Sequence, residues 1–96
     1  MVKNTLQLVP ECNRRFATLA GQCNEHFKFI SKTLNVKVKT RGFTLQLLGD
    51  AASVAVAKLA IQALYRETED RSVLSLQDIH LHLQVTKSMM TEEAVF

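Results

Sequence analysis

The chain has 96 residues, 47% of them apolar, with a single proline and three glycines; this is one domain's worth of sequence with a real core, which excludes a disordered tail and leaves little room for an elaborate active-site cleft. Twelve Lys and Arg against nine Asp and Glu leave +3, a bias toward anionic partners that falls well short of a polybasic tail. Cys12 and Cys23 lack the paired spacing of a zinc site and follow no secretory segment, so reduced thiols in a cytoplasmic protein are expected, with no disulfide and no metal. No apolar run approaches the ~20 residues needed to cross a bilayer, so no membrane role is expected.

From Asn4 to Val9 apolar and polar side chains alternate, which predicts a strand burying Leu6 and Leu8 until Pro10 stops it. Cys12, Phe16 and Leu19 then recur at helical spacing and predict an amphipathic helix from Glu11 to Ala20, ended by Gly21. A second helix is expected from about Asn24, its N-cap, to Leu34, with Phe27, Ile30 and Leu34 as the apolar stripe and Lys28 and Lys32 on another face.

Residues 35–40 and 43–48 alternate on either side of Arg41-Gly42, which predicts a hairpin whose turn takes its positive φ from Gly42. Val36, Val38, Leu45 and Leu47 would face the core, and Lys37 and Lys39 would share the other face with Thr44 and Gln46. Gly49-Asp50 closes the strand before a third helix, Ala51 to about Arg66, with Val54, Ala57, Ile61 and Leu64 against the sheet. Ser75-Leu-Gln-Asp78 resembles a capping box opening a fourth helix to about Lys87, docked by Ile79 and Leu83. Residues 88–96 show no periodicity and are expected to fray or to mark where a longer protein was cut.

Strand, helix, helix, strand, strand, helix is the element order of a type I KH domain. The expected fold is therefore α+β: a KH-like domain over residues 1–87 with an extra C-terminal helix, and a three-stranded antiparallel sheet covered by helices on one face. In KH domains the first two helices meet at a G-x-x-G loop whose backbone amides approach a phosphate. The corresponding turn here is Gly21-Gln22-Cys23-Asn24, which keeps the first glycine and replaces the last by Asn, a residue tolerant of the left-handed conformation.

A more specific resemblance is carried by Leu19-Ala-Gly21, Asn35-Val-Lys-Val38, Arg41-Gly42-Phe43, Leu47-Leu-Gly49-Asp50, Ala63-Leu-Tyr65 and Leu76-Gln-Asp-Ile-His80. From about Thr5 to Leu83 the chain resembles the amino-terminal KH-like domain of PhoH-like proteins, bacterial proteins in which that domain precedes a P-loop ATPase. The resemblance implies RNA metabolism, a parent ATPase domain as neighbour and, for some members, the endoribonuclease YbeY as partner. No G-x-x-x-x-G-K-[ST] phosphate loop occurs in this chain. No ATP hydrolysis, enzymatic activity or cofactor is therefore expected of it, and a fragment ending before the ATPase domain is the natural reading.

By the KH resemblance, Gly21, Asn24, Arg14, Arg15, Lys28, Lys32, Lys37, Lys39 and Arg41 flank the nucleic-acid groove. Two readings stand for the basic members: phosphate contact with single-stranded RNA, or an ordinary solvated surface. Phe16 and Phe27 are expected in the core. Phe29 lies off the main stripe and Phe43 opens a strand beside the turn, which makes these two the candidates for contact with a base or a docking partner. His80 and His82 stand about 200° apart on a helix and do not converge on a metal. His26 has neither the oriented third group nor the oxyanion site that a Cys–His catalytic pair needs, so no catalytic residue is assigned. Cys12 and Cys23 read as small, partly buried packing residues.

Overall fold

The computed structural model of the chain describes residues 2–71 and 73–95, with 89–95 as backbone only. Its elements are β1 (Val2–Gln7), α1 (Asn13–Ala20), a single 3-10 turn (Gln22–Asn24), α2 (Glu25–Leu34), β2 (Lys37–Arg41), β3 (Thr44–Gly49), α3 (Ala51–Glu67) and α4 (Leu76–Val95). The three strands form one antiparallel sheet in the order β1-β3-β2. The α+β class and the three-stranded antiparallel sheet are thus as the sequence indicated.

Period-two alternation decides which face of the sheet is covered. Leu6 and Leu8 from the first strand segment, Leu45 and Leu47 from β3, and Val36 just before β2 are all buried, while Lys3, Thr5, Lys37 and Lys39 are exposed on the opposite face. Against the apolar face lies α3, whose Val54, Ala57, Ile61 and Leu64 are at most 1% exposed. Its small Ala57 and Ala60 let the helix approach the strands closely. Removing the side chain of a residue such as Leu47 would leave a cavity at the centre of this layer, a change that costs about 2–5 kcal/mol. Ile30 and Leu34 of α2 and Ile79 and Leu83 of α4 complete the same core.

Several boundaries differ from expectation for identifiable reasons. Residues Pro10 and Glu11 stay outside α1; the Pro10 carbonyl accepts a hydrogen bond from the Tyr65 hydroxyl, and Cys12, in extended conformation, is the N-cap. Asn35 does not open a strand but ends α2 in the left-handed conformation, its N–H donating to the Ser31 carbonyl. In the hairpin Arg41 still pairs with Thr44, so the turn is Gly42-Phe43 rather than Arg41-Gly42. Gly42 alone has positive φ, 61°, at the first central position, as a type II′ turn requires. The last helix runs past Lys87 to Val95, through the segment whose lost periodicity suggested fraying; Phe96 lies outside the described residues.

The junction of α3 and α4 is closed by charge and by a reciprocal cap. The Ser75 N–H donates to Asp78 Oδ2 at 3.0 Å and the Asp78 N–H donates to Ser75 Oγ at 3.2 Å, the expected capping box. Arg71 reaches both Asp78, at 3.0 Å, and Glu67, at 3.4 Å. The second Glu67 oxygen is paired with His82 Nε2. Together these contacts bind the end of α3 to the first two turns of α4.

Candidate nucleic-acid interface

The turn between α1 and α2 is built on backbone conformations that few residues tolerate. Gly21 ends α1 with its N–H on the Ala17 carbonyl at 2.9 Å and then adopts φ 76°, ψ 179°, a region essentially reserved for glycine. Cys23 (φ 56°) and Asn24 (φ 58°) are both left-handed. Asn24 therefore holds the conformation its amide side chain favours, whereas Cys23 has no such preference and is carried into it by the turn. Cys23 is exposed, not the partly buried packing residue that its chemistry suggested; Cys12 is half-buried. Beneath the turn His26 is buried, and its Nδ1–H donates to the Leu19 carbonyl at 3.0 Å.

From this turn α2 runs alongside β2, and between them lies an open groove of about 330 Å³ lined by Asn24, Phe27, Lys28, Ser31, Lys32, Val38 and Thr40. Lys28 and Lys32 are one helical turn apart and exposed on its rim. Phe27 and Val38 give it an apolar floor, and Ser31 and Thr40 add hydroxyls. Asn24 makes no side-chain cap bond; its own N–H donates to the Gly21 carbonyl at 3.3 Å and that of Glu25 to the Gln22 carbonyl, so what the turn brings to this end of the groove is the positive end of the α2 dipole. Glu25, half-exposed and 3.9 Å from His26 Nε2, is the one acid in that first turn. Such a groove offers two lysines and the positive end of a helix to phosphate, and an apolar floor to a planar base.

The sequence-selected residues divide among different places. Asn24, Lys28 and Lys32 share the groove. Lys37, Lys39 and Arg41 belong to the same edge strand but alternate to the opposite face of the sheet from Val38 and Thr40. Arg14 is exposed on α1. Arg15 is turned inward: Nη2 donates to the Tyr65 carbonyl at 2.9 Å, Nε donates to Thr68 Oγ1 at 3.0 Å, and the guanidinium lies 4.6 Å from the centre of the Tyr65 ring. Its bonds tie α1 to α3.

Neither candidate docking ring stands clear of the chain. Phe43 is half-buried edge-on to Phe16, with centroids 5.6 Å apart, and Phe16 in turn meets Phe27 at 6.0 Å. Phe29 is half-buried with its ring 6.2 Å from that of His80. The rings of Phe43, Phe16 and Phe27 thus form one edge-to-face series that ends at the groove floor. Ser31 and Thr40 were not singled out in the sequence, and Val38, expected to face the core, packs against it only half-buried and lines the groove. Strand parity places Val38 and Thr40 together, but only the packing of α2 shows that a gap is left above them. Among the described residues no three His, Cys, Asp or Glu side chains stand close enough to hold a metal ion, and no helix is long and apolar enough to cross a membrane.

No protein-family profile and no curated protein matches the chain. Among solved structures it is similar to a protein of unknown function from Aeropyrum pernix, determined at 1.5 Å, with a TM-score of 0.70 and 15% sequence identity. The match covers 97% of this chain and 50% of that one. At this identity the likeness concerns the fold alone, and the chain spans half the length of its neighbour.

Proposed function

We propose that the chain is a KH-like accessory domain that binds single-stranded nucleic acid, RNA in the first place, weakly and without strong sequence preference. The observation that carries the reading is the groove between α2 and β2, where Lys28 and Lys32 stand over Phe27 and Val38 next to the turn that opens α2. The element order and the left-handed Asn24 at the end of the Gly21 turn support it. In a KH module that turn clamps the backbone of about four nucleotides. Within a PhoH-like parent, the domain would lend RNA affinity to a P-loop ATPase elsewhere in the protein. Titrating labelled single-stranded RNA at several salt concentrations tests this. With about four phosphates neutralised, log affinity falls against log salt with a slope near −3. No binding at low salt would refute the reading.

A second reading, a docking module that orders ATPase subunits or recruits a partner such as YbeY, is favoured by one observation. Leu81 and Val85, a turn apart on α4, are 60% and 50% exposed, on the side away from buried Ile79 and Leu83. Comparing the oligomeric state and partner recovery of the parent protein with those of an L81K/V85K variant separates the two. Unchanged assembly and recovery would count against docking.

A further inference from the structure

Alternate residues of the edge strand β2 serve two surfaces. Val38 and Thr40 line the groove, whereas Lys37, Lys39 and Arg41 alternate to the open face of the sheet. The register arranges that face in rows: Lys3 and Lys37 flank Leu48, Thr5 and Lys39 flank Gln46, and Gln7 and Arg41 flank Thr44. Strand spacing puts the backbones of Lys3 and Lys37 about 10 Å apart and those of Lys37 and Lys39 about 7 Å apart. A shallow hollow of about 120 Å³ lies among Lys3, Lys37, Lys39, Gln46 and Leu48. All four cations are exposed, the three strands contain no acidic residue, and none of the four makes an ion pair among the described residues.

We propose that this open face is a second phosphate-backbone surface, which takes a nucleic-acid strand as it leaves the groove and crosses the β2 edge. The proposal rests on the groove reading above. Charge complementarity selects the occupant. A stable protein interface is centred on aromatic or aliphatic anchors, and this face carries no aromatic residue and only half-buried Leu48 as an aliphatic one. It offers no stacking platform either, so the contact is to phosphates and independent of sequence. Because the two surfaces are separated only by the thickness of β2, one strand reaches both if it extends beyond the groove.

Two single-stranded RNAs test this: one of about five nucleotides, just longer than the ~4 a KH turn clamps, and one of about fifteen. The longer RNA is expected to bind the unmodified chain more tightly and with a steeper salt dependence. In K37Q/K39Q the short RNA binds as before, whereas the slope for the long RNA falls by about 1.4, the contribution of two single-strand phosphates. R66E, which changes the net charge equally at an exposed position on α3, leaves that slope unaltered, and K37R/K39R retains it. If the short RNA binds but the long one gains nothing, or its gain survives in K37Q/K39Q, the second surface is refuted and the groove stands. If neither RNA binds the unmodified chain at low salt, both readings fall.

Discussion

Gly21 and His26 compete for one space. A Cβ on Gly21 would stand 2.9 Å from three atoms of the imidazole, and the ring is fixed there by its bond to the Leu19 carbonyl. The glycine is thus required twice, by its φ of 76° and by the ring beneath it. We expect Gly21→Ala to lower stability by about 1–3 kcal/mol, the range for a side chain forced into such a backbone region. The loss should be smaller in a His26→Ala background, where the ring is gone and only the backbone strain remains. Urea denaturation of the four proteins of this double-mutant cycle measures the difference; an equal loss in both backgrounds would show that the ring is not the obstacle.

Lys28 and Lys32 should carry the groove's electrostatics. Replacing both by glutamine is expected to weaken binding of short single-stranded RNA and to reduce the salt slope by about 1.4. The same replacement at Arg14, exposed but outside the groove, should change neither. Fluorescence anisotropy across a salt series reads both quantities.

Arg15 is expected to behave as a structural residue. Arg15→Ala removes its bonds to the Tyr65 carbonyl and Thr68 hydroxyl and should lower stability by about 1–3 kcal/mol, as for hydrogen bonds from charged groups. The salt slope of RNA binding should stay the same. A change in that slope with unaltered thermal stability would return Arg15 to the interface.

The α3–α4 junction predicts an acid limit. The Ser75 N–H, and then Arg71, hold the Asp78 carboxyl below the usual range. A carboxylate depressed by folding stabilises fully above its unfolded value of about 4, and the contribution is lost as pH falls through the lower, folded value. Asp78→Asn should therefore be less stable than the unmodified chain at neutral pH, with a flatter stability curve below about pH 4. Ser75→Ala should cost about 1 kcal/mol at neutral pH through loss of the cap. Thermal melts from pH 2 to 7 would reveal both effects.

Much of the scaffold was legible because burial imposes a period. Leu45 and Leu47, or Val54, Ala57, Ile61 and Leu64, announce their faces without reference to any other element. The Ser75–Asp78 box was equally plain, since both partners lie within one turn. Arg15 was not: its partners Tyr65 and Thr68 lie far along the chain, and an arginine on an amphipathic helix reads as surface until α3 is placed beside it. Cys23 was hidden for a different reason, because its left-handed backbone is imposed by the Gly21–Asn24 turn and has no counterpart in thiol chemistry. The groove itself needed the third dimension, since whether Val38 is covered or left open depends on how α2 lies over β2.

The two-residue turn at Gly42-Phe43 has a role beyond closing the hairpin. Because β2 divides its side chains by parity, a slip of a single residue against β3 would turn Lys37 and Lys39 toward α2 and expel Val38 to the opposite side. Gly42, with nothing within 4 Å of where its side chain would begin, is held to glycine by backbone conformation alone. A lone surface glycine, far from the groove in chemistry, therefore acts as the sorting element that keeps valine and lysine on their proper sides of one strand.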